Sequence, residues 1–310
     1  MGARADAFER AMAGFAPNVQ GAIWMTASAV AFSCMGILVK HVGAELDSFQ
    51  IAFFRLFFGF LVLLPALARD GFRPLRTRRP ALHGLRAVLG ISAMFCMFYA
   101  ITHIPLAHAV ALSFAKPLFI IVLAVMVLGE RVRWRRWAAT VIGFIGVLIM
   151  LRPGTGGFDP VGLTALAAAF FVACAVILVK LMSKTESTLT MLAWFAGGAT
   201  LLAAIPLPFV WRTPDPEQWA MLFLIGLLGT LAQTCIIRAY KIGEATAVAP
   251  FDYSRIVFAG ILAYFVFGEL PDIWSVVGAA IIVASTLYIA RREAQLGRRP
   301  VPFEKAVKPG

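Results

Sequence analysis

Ten stretches of this chain stay apolar for close to the length that a helix needs to cross a bilayer, and this leaves few folds open. A crossing takes about 20 mostly apolar residues. The runs fall at roughly 20–39, 49–68, 85–103, 105–128, 136–151, 160–180, 188–211, 217–237, 245–267 and 273–290. Lipid offers the backbone no hydrogen bonds, so runs of this length must close their own bonds as helices. The breaks coincide with turn chemistry at Arg69-Asp70-Gly71, Arg152-Pro153-Gly154 and Thr213-Pro214-Asp215-Pro216. The chain is 61% hydrophobic and 14% charged, against about 25% charged in a soluble domain. That excludes a soluble globule and a disordered chain alike. The predicted fold class is an all-α membrane protein of ten transmembrane helices. Cys34, Cys96, Cys174 and Cys235 lie inside apolar runs without CxxC spacing. They read as small hydrophobes, not as metal ligands or disulfides.

The net charge of +12 invites a nucleic-acid reading, but its placement answers to topology. With the N-terminus cytoplasmic, the same face collects Arg4 and Arg10, the arginines from Arg69 to Arg86, Arg131 to Arg136, Lys180 and Lys184, Arg238 and Lys241, and the basic C-terminal tail. The opposite face holds Lys40, Arg152 and Arg212. Both termini are therefore predicted to be cytoplasmic, with the chain multi-pass in an inner membrane. The expected partners are the lipid bilayer and a small-molecule metabolite, with no nucleic acid.

Two motifs recur at nearly one offset. Cys34-Met-Gly-Ile-Leu-Val-Lys40 matches Cys174-Ala-Val-Ile-Leu-Val-Lys180 at 140 residues, and Gly129-Glu130 matches Gly268-Glu269 at 139. In the second register Lys116 falls on Arg255 and Ser113 on Asp252. Five spans per half force the second half to enter the membrane upside down. Inverted repeats of this kind mark secondary transporters, whose halves exchange conformations around a midplane site. The expected division is a tail (1–19), a first repeat (20–151), a second repeat (160–290) and a second tail (291–310).

On these residues the chain resembles the EamA family of the drug/metabolite transporter superfamily. The matching features are Lys40 and Lys180 ending the first span of each half, Pro117 in the fourth span, the paired Gly-Glu motifs, and Ala249-Pro-Phe-Asp-Tyr-Ser-Arg255. The resemblance covers about residues 20–290. It implies a basket of helices around a central cavity lined mainly by spans 1, 3, 4, 6, 8 and 9. Members of the family export amino acids or take up S-adenosylmethionine or riboflavin.

Three basic residues, Arg55, Lys116 and Arg255, sit within apolar runs. Each costs about 2.5–3.5 kcal/mol at a helix centre unless paired or hydrated. Asp252, three residues before Arg255, is placed for an ion pair that locks the ninth span; direct substrate contact by Arg255 is the competing use. Lys116 has no acid in its span and shares a face with His108 if the helix is continuous. It either binds an anionic group or pairs with Asp252 across the pseudo-twofold. Pro117 removes a backbone donor and is expected to kink the helix there. Arg55 is expected to snorkel to the outer surface. Glu130 and Glu269 end their spans and read as braces of helix turns. Tyr99, Tyr253, Ser113 and Gln233 complete the candidate substrate-binding set, with Arg55, His108, Glu130 and Glu269 as gating or structural ionic groups.

The sequence has no Walker A, GxGxxG, HExxH or GxSxG segment, so neither an enzyme nor an ATP-driven pump is expected, and no cofactor or metal. Asp252 is the candidate carrier of a coupling proton, against which facilitated diffusion or exchange stands as the alternative. The residue inventory suits a ligand with a carboxylate and a polar or aromatic body. An amino acid, aromatic ones included, is the expected cargo. S-adenosylmethionine, whose sulfonium suits an aromatic face, is the alternative. A receptor or assembly protein without flux is the reading from another class.

Overall fold

The computed structural model describes residues 15, 17–69, 71, 77, 79–128, 134–152, 159–182, 186–242 and 249–297. Every regular element among them is helical. In chain order these are α1 (Pro17–Val42), α2 (Ser48–Arg69), α3 (Pro80–His103), α4 (Leu106–Ser113), α5 (Lys116–Leu128), α6 (Trp134–Leu151), α7 (Gly162–Met182), α8 (Thr188–Ala203), the single turn α9 (Leu207–Val210), α10 (Pro216–Ile242), a 3₁₀ turn (Ala249–Tyr253), α11 (Ser254–Phe267) and α12 (Ile273–Gly297). By length and composition alone, five helices are able to cross a membrane: α1, α2, α3, and the apolar stretches Gly162–Val179 and Pro216–Ile236. Phe209 and Phe265 are 88% and 78% exposed, which is a surface that lipid tolerates and water does not.

Three predicted spans differ from the structure. The run 188–211 breaks after Ala203, and only the single turn α9 follows. The run 105–128 is not one helix: α4 stops at Ser113, and Phe114 and Ala115 form a turn before α5. Pro117 has no N–H to give to a continuous ladder, and it is the second residue of α5, where none is needed. His108 and Lys116 therefore lie on different helices and share no face. Within the run 245–267, the described residues form a 3₁₀ turn (Ala249–Tyr253) followed by α11, with Pro250 inside that turn.

The packing has a regular pattern. α1 packs on α10 and α11, while α7 packs on α3 and α5; α2 packs on α10, while α8 packs on α3; α2 meets α8, and α6 meets α12. Small residues make the close approaches. Gly21, Ala22, Ser28, Ala29, Ala31, Ser33 and Gly36 are buried along α1, and the Ser28 hydroxyl donates to the Ala232 carbonyl of α10 at 2.9 Å. Without a hydrophobic force between helices in lipid, such interfaces hold by van der Waals contact and short interhelical hydrogen bonds. α2 and α10 also touch backbone to side chain, because a Cβ on Gly226 would stand 2.5 Å from Cβ of Phe58.

Candidate functional site

Among the described residues, two groups of charged side chains bear on the site. The first is at one end of the bundle. Gly268 ends α11 in the left-handed conformation, at φ +68°, which glycine adopts without penalty. The turn carries Glu269 back over the start of α4. There one Glu269 oxygen accepts the backbone N–H of Leu106 at 3.0 Å, and the other pairs with the Lys40 ammonium. Lys40 also donates to the Ile104 carbonyl at 2.9 Å. One carboxylate and one ammonium thus tie the end of α1, the turn between α3 and α4, and the end of α11.

Beside this latch, Arg152 pairs with Asp272 at 2.9 Å, and Asp272 accepts the Ser275 N–H at 3.0 Å. Burial raises the Asp272 carboxyl, but the Ser275 hydroxyl and N–H, and then Arg152 and His108, outweigh it. The net effect holds the group below its ordinary range. The Ser275 hydroxyl lies 3.3 Å from Nδ1 of His108, whose Nε2 is buried without a hydrogen-bond partner. His108, Arg152, Asp159, Asp272 and Ser275 line a cavity of about 230 Å³. Arg212 pairs with Glu45 at 3.5 Å. Lys40, Arg152 and Arg212, the cations predicted for the sparsely charged face, each have a carboxylate partner.

The second group lies deep among the helices. Arg55, on α2, does not snorkel outward. Its guanidinium lies against Gly229, the fourteenth of 27 residues in α10. A Cβ on Gly229 would stand 2.8 Å from Nε and 3.2 Å from Nη2 of Arg55, so any larger residue there would push the guanidinium from this position. Arg55, Gly229, Thr230 and Gln233 line a small cavity of about 50 Å³ with Leu192 and Phe195 of α8. Among the described residues, no ion pair or hydrogen bond reaches the Arg55 guanidinium or the Gln233 amide. The Thr230 hydroxyl donates to the Gly226 carbonyl at 2.9 Å.

Arg255 makes no ion pair with Asp252. Asp252 belongs to the 3₁₀ turn and Arg255 to α11, so the α-helical i,i+3 spacing does not apply across the junction. The Arg255 guanidinium instead lies 4.8 Å from the centre of the Phe32 ring on α1, with its Nε buried and unbonded. The Ser33 hydroxyl reaches the Arg255 carbonyl at 3.3 Å. Phe32 and Ser33 are not among the residues that the sequence singles out, since apolar and small residues on a span carry no signal beyond packing.

The other predicted residues scatter. Lys116 opens α5, partly buried, without a partner among the described residues. Neither Lys116 nor Arg255 lines either of these two cavities. Ser113 turns its hydroxyl to the Val110 carbonyl at 2.6 Å. Tyr253 packs on Phe114, ring centres 4.8 Å apart. Tyr99 is 41% exposed and stacks on His103 at 3.9 Å. Glu130 lies outside the described residues.

The model of the EamA-like transporter family matches this chain twice, over residues 19–152 and 160–291. An S-adenosylmethionine uptake transporter from Rickettsia prowazekii is 39% identical over 276 residues, covering 89% of this chain and 94% of its own length. A riboflavin transporter from Vibrio cholerae is 32% identical over 291 residues, covering 91% and 96%. A crystal structure that is 21% identical in sequence matches with a TM-score of 0.61, over 89% of this chain and 99% of that one. At that identity the likeness is one of fold.

Proposed function

The chain belongs to the EamA-like transporter family, and from that premise we propose that it is a secondary carrier of S-adenosylmethionine, or of a metabolite with the same zwitterionic head, across a bacterial inner membrane. The observation that carries this reading is the 39% identity, over nearly the whole of both chains, to an S-adenosylmethionine uptake transporter. The amino-acid cargo expected from the sequence is not what these relatives support. The two readings share one chemical feature. S-adenosylmethionine keeps the carboxylate and ammonium of methionine, so an inventory of cations and one carboxylate suits either cargo.

Two inverted five-span repeats, with both termini cytoplasmic, are part of this reading. Exchanging α1 with α7, α2 with α8, α3 with α10, α4 and α5 with α11, and α6 with α12 maps the main helix contacts onto one another. That exchange supports two halves built alike, and the charge placement supports the orientation. The latch at Lys40 and Glu269 then closes one side of the bundle, and alternating access requires it to open. Arg55, Arg255, Gln233 and Asp252 are the residues proposed to meet cargo, with His108 and Glu269 on the closing side.

Uptake of labelled S-adenosylmethionine into proteoliposomes tests the reading, with riboflavin and phenylalanine as parallel cargoes. The expected outcome is saturable S-adenosylmethionine accumulation that excess unlabelled cargo displaces. Accumulation of phenylalanine or riboflavin without S-adenosylmethionine overturns the cargo. Flux of none of the three overturns it as well.

A further inference from the structure

We propose that Arg55, with the Gln233 amide beside it, is the subsite that receives a carboxylate of the transported metabolite. This rests on the carrier reading above and deepens it. The first argument is electrostatic. An arginine among apolar helices costs several kcal/mol unless something compensates it, and Arg55 has no acid or acceptor among the described residues. Lys40, Arg152 and Arg212 each have one. A carrier that leaves an inward-facing guanidinium without an ion pair gains by matching it with its cargo; Arg255, also without an ion pair among the described residues, faces the Phe32 ring instead.

The second argument is steric. Gly229 leaves room for the guanidinium against the middle of α10, where an added Cβ would stand 2.8 Å from Nε and 3.2 Å from Nη2. A guanidinium presents two parallel N–H groups to a carboxylate. The third argument is size. A water needs about 10–15 Å³ of such space, so about 50 Å³ admits a carboxylate-sized head but no whole nucleoside. The Gln233 amide, unclaimed by the described residues, lines the same cavity and supplies a further donor. Leu192 and Phe195 add apolar lining, and apolar surroundings strengthen charge-assisted bonds.

The full-length chain in proteoliposomes tests this with two cargoes, S-adenosylmethionine and its decarboxylated analogue. Arg55→Gln is expected to raise KM for S-adenosylmethionine at least tenfold while leaving KM for the analogue within twofold. Arg55→Lys should fall between, because an ammonium lacks the fork geometry; it also carries the test if Arg55→Gln does not reconstitute. An equal shift for both cargoes, or no shift for either, overturns the proposal while the carrier reading stands. If the wild-type chain moves neither cargo, the cargo reading fails and the subsite is judged with acetate. Acetate, at constant ionic strength, should stabilise the purified wild-type protein saturably against heat and leave Arg55→Gln unaffected. The same response in both proteins, or none in the wild type, overturns it.

Discussion

Lys40 and Arg55 are both cations on long apolar helices, joined by one short turn, and the fold treats them in opposite ways. Lys40 ends α1 and is fully engaged by Glu269 and the Ile104 carbonyl, and Glu269 itself holds the first N–H of α4. Arg55 points into the bundle, lies against a glycine and shares a cavity with an unclaimed amide. In the proposed reading, the partnered charge serves closure and the unpartnered one serves binding. Deleting a partnered charge strands the other member of its pair; deleting an unpartnered one strands nothing. The two regions should therefore answer mutation with opposite signs.

The largest effect is expected for Glu269→Ala, which strands Lys40 and uncaps α4 together. It should destabilise the protein by about 2–4 kcal/mol, read as a lower thermal midpoint in detergent. A midpoint equal to wild type would show that the latch contributes nothing. Next comes the paired comparison of Lys40→Met and Arg55→Met. The first should cost about 1–3 kcal/mol, and the second should be neutral or stabilising by up to about 1 kcal/mol. Losses of equal size at both positions would erase the distinction between the two regions.

Gly229→Ala sharpens the Arg55 side of the comparison. Its new Cβ would meet Nε at 2.8 Å and the Met35 sulfur at 3.2 Å, so the guanidinium must move. Overpacking of this kind costs about 1 kcal/mol, and flux of a carboxylate-bearing cargo should drop severalfold; unchanged flux would mean that the position of the Arg55 guanidinium does not matter. The smallest effect belongs to Asp272. Because its folded carboxyl sits below the ordinary range, its contribution is present above about pH 4 and disappears as the pH falls through the lower folded value. At 41% side-chain exposure the contribution is modest. The stability difference between the wild type and Asp272→Asn should shrink between about pH 5 and about pH 3; a constant difference would remove the charge from the account.

The all-helical class and the membrane environment are legible in the amino-acid order alone, because both depend on local rules. A helix closes its bonds four residues away, and an apolar run of about 20 residues declares its solvent. Pro117 likewise marks a break in the fourth run, although the sequence suggests a kink where the chain turns and restarts. The family is legible through motifs repeated at nearly one offset, which a linear comparison detects.

The state of each charge is decided only by the tertiary structure. Asp252 and Arg255 are three apart in sequence and unpaired, whereas Lys40 and Glu269 are paired across most of the chain. An ion pair needs contact within a few ångströms, so it depends on how two helices are rotated and shifted against each other. Those parameters come from small-residue contacts such as Gly226 on Phe58 and Gly229 on Arg55, which no local pattern encodes. Residue types and spans are properties of the chain; which cation is held and which is left free is a property of the packing.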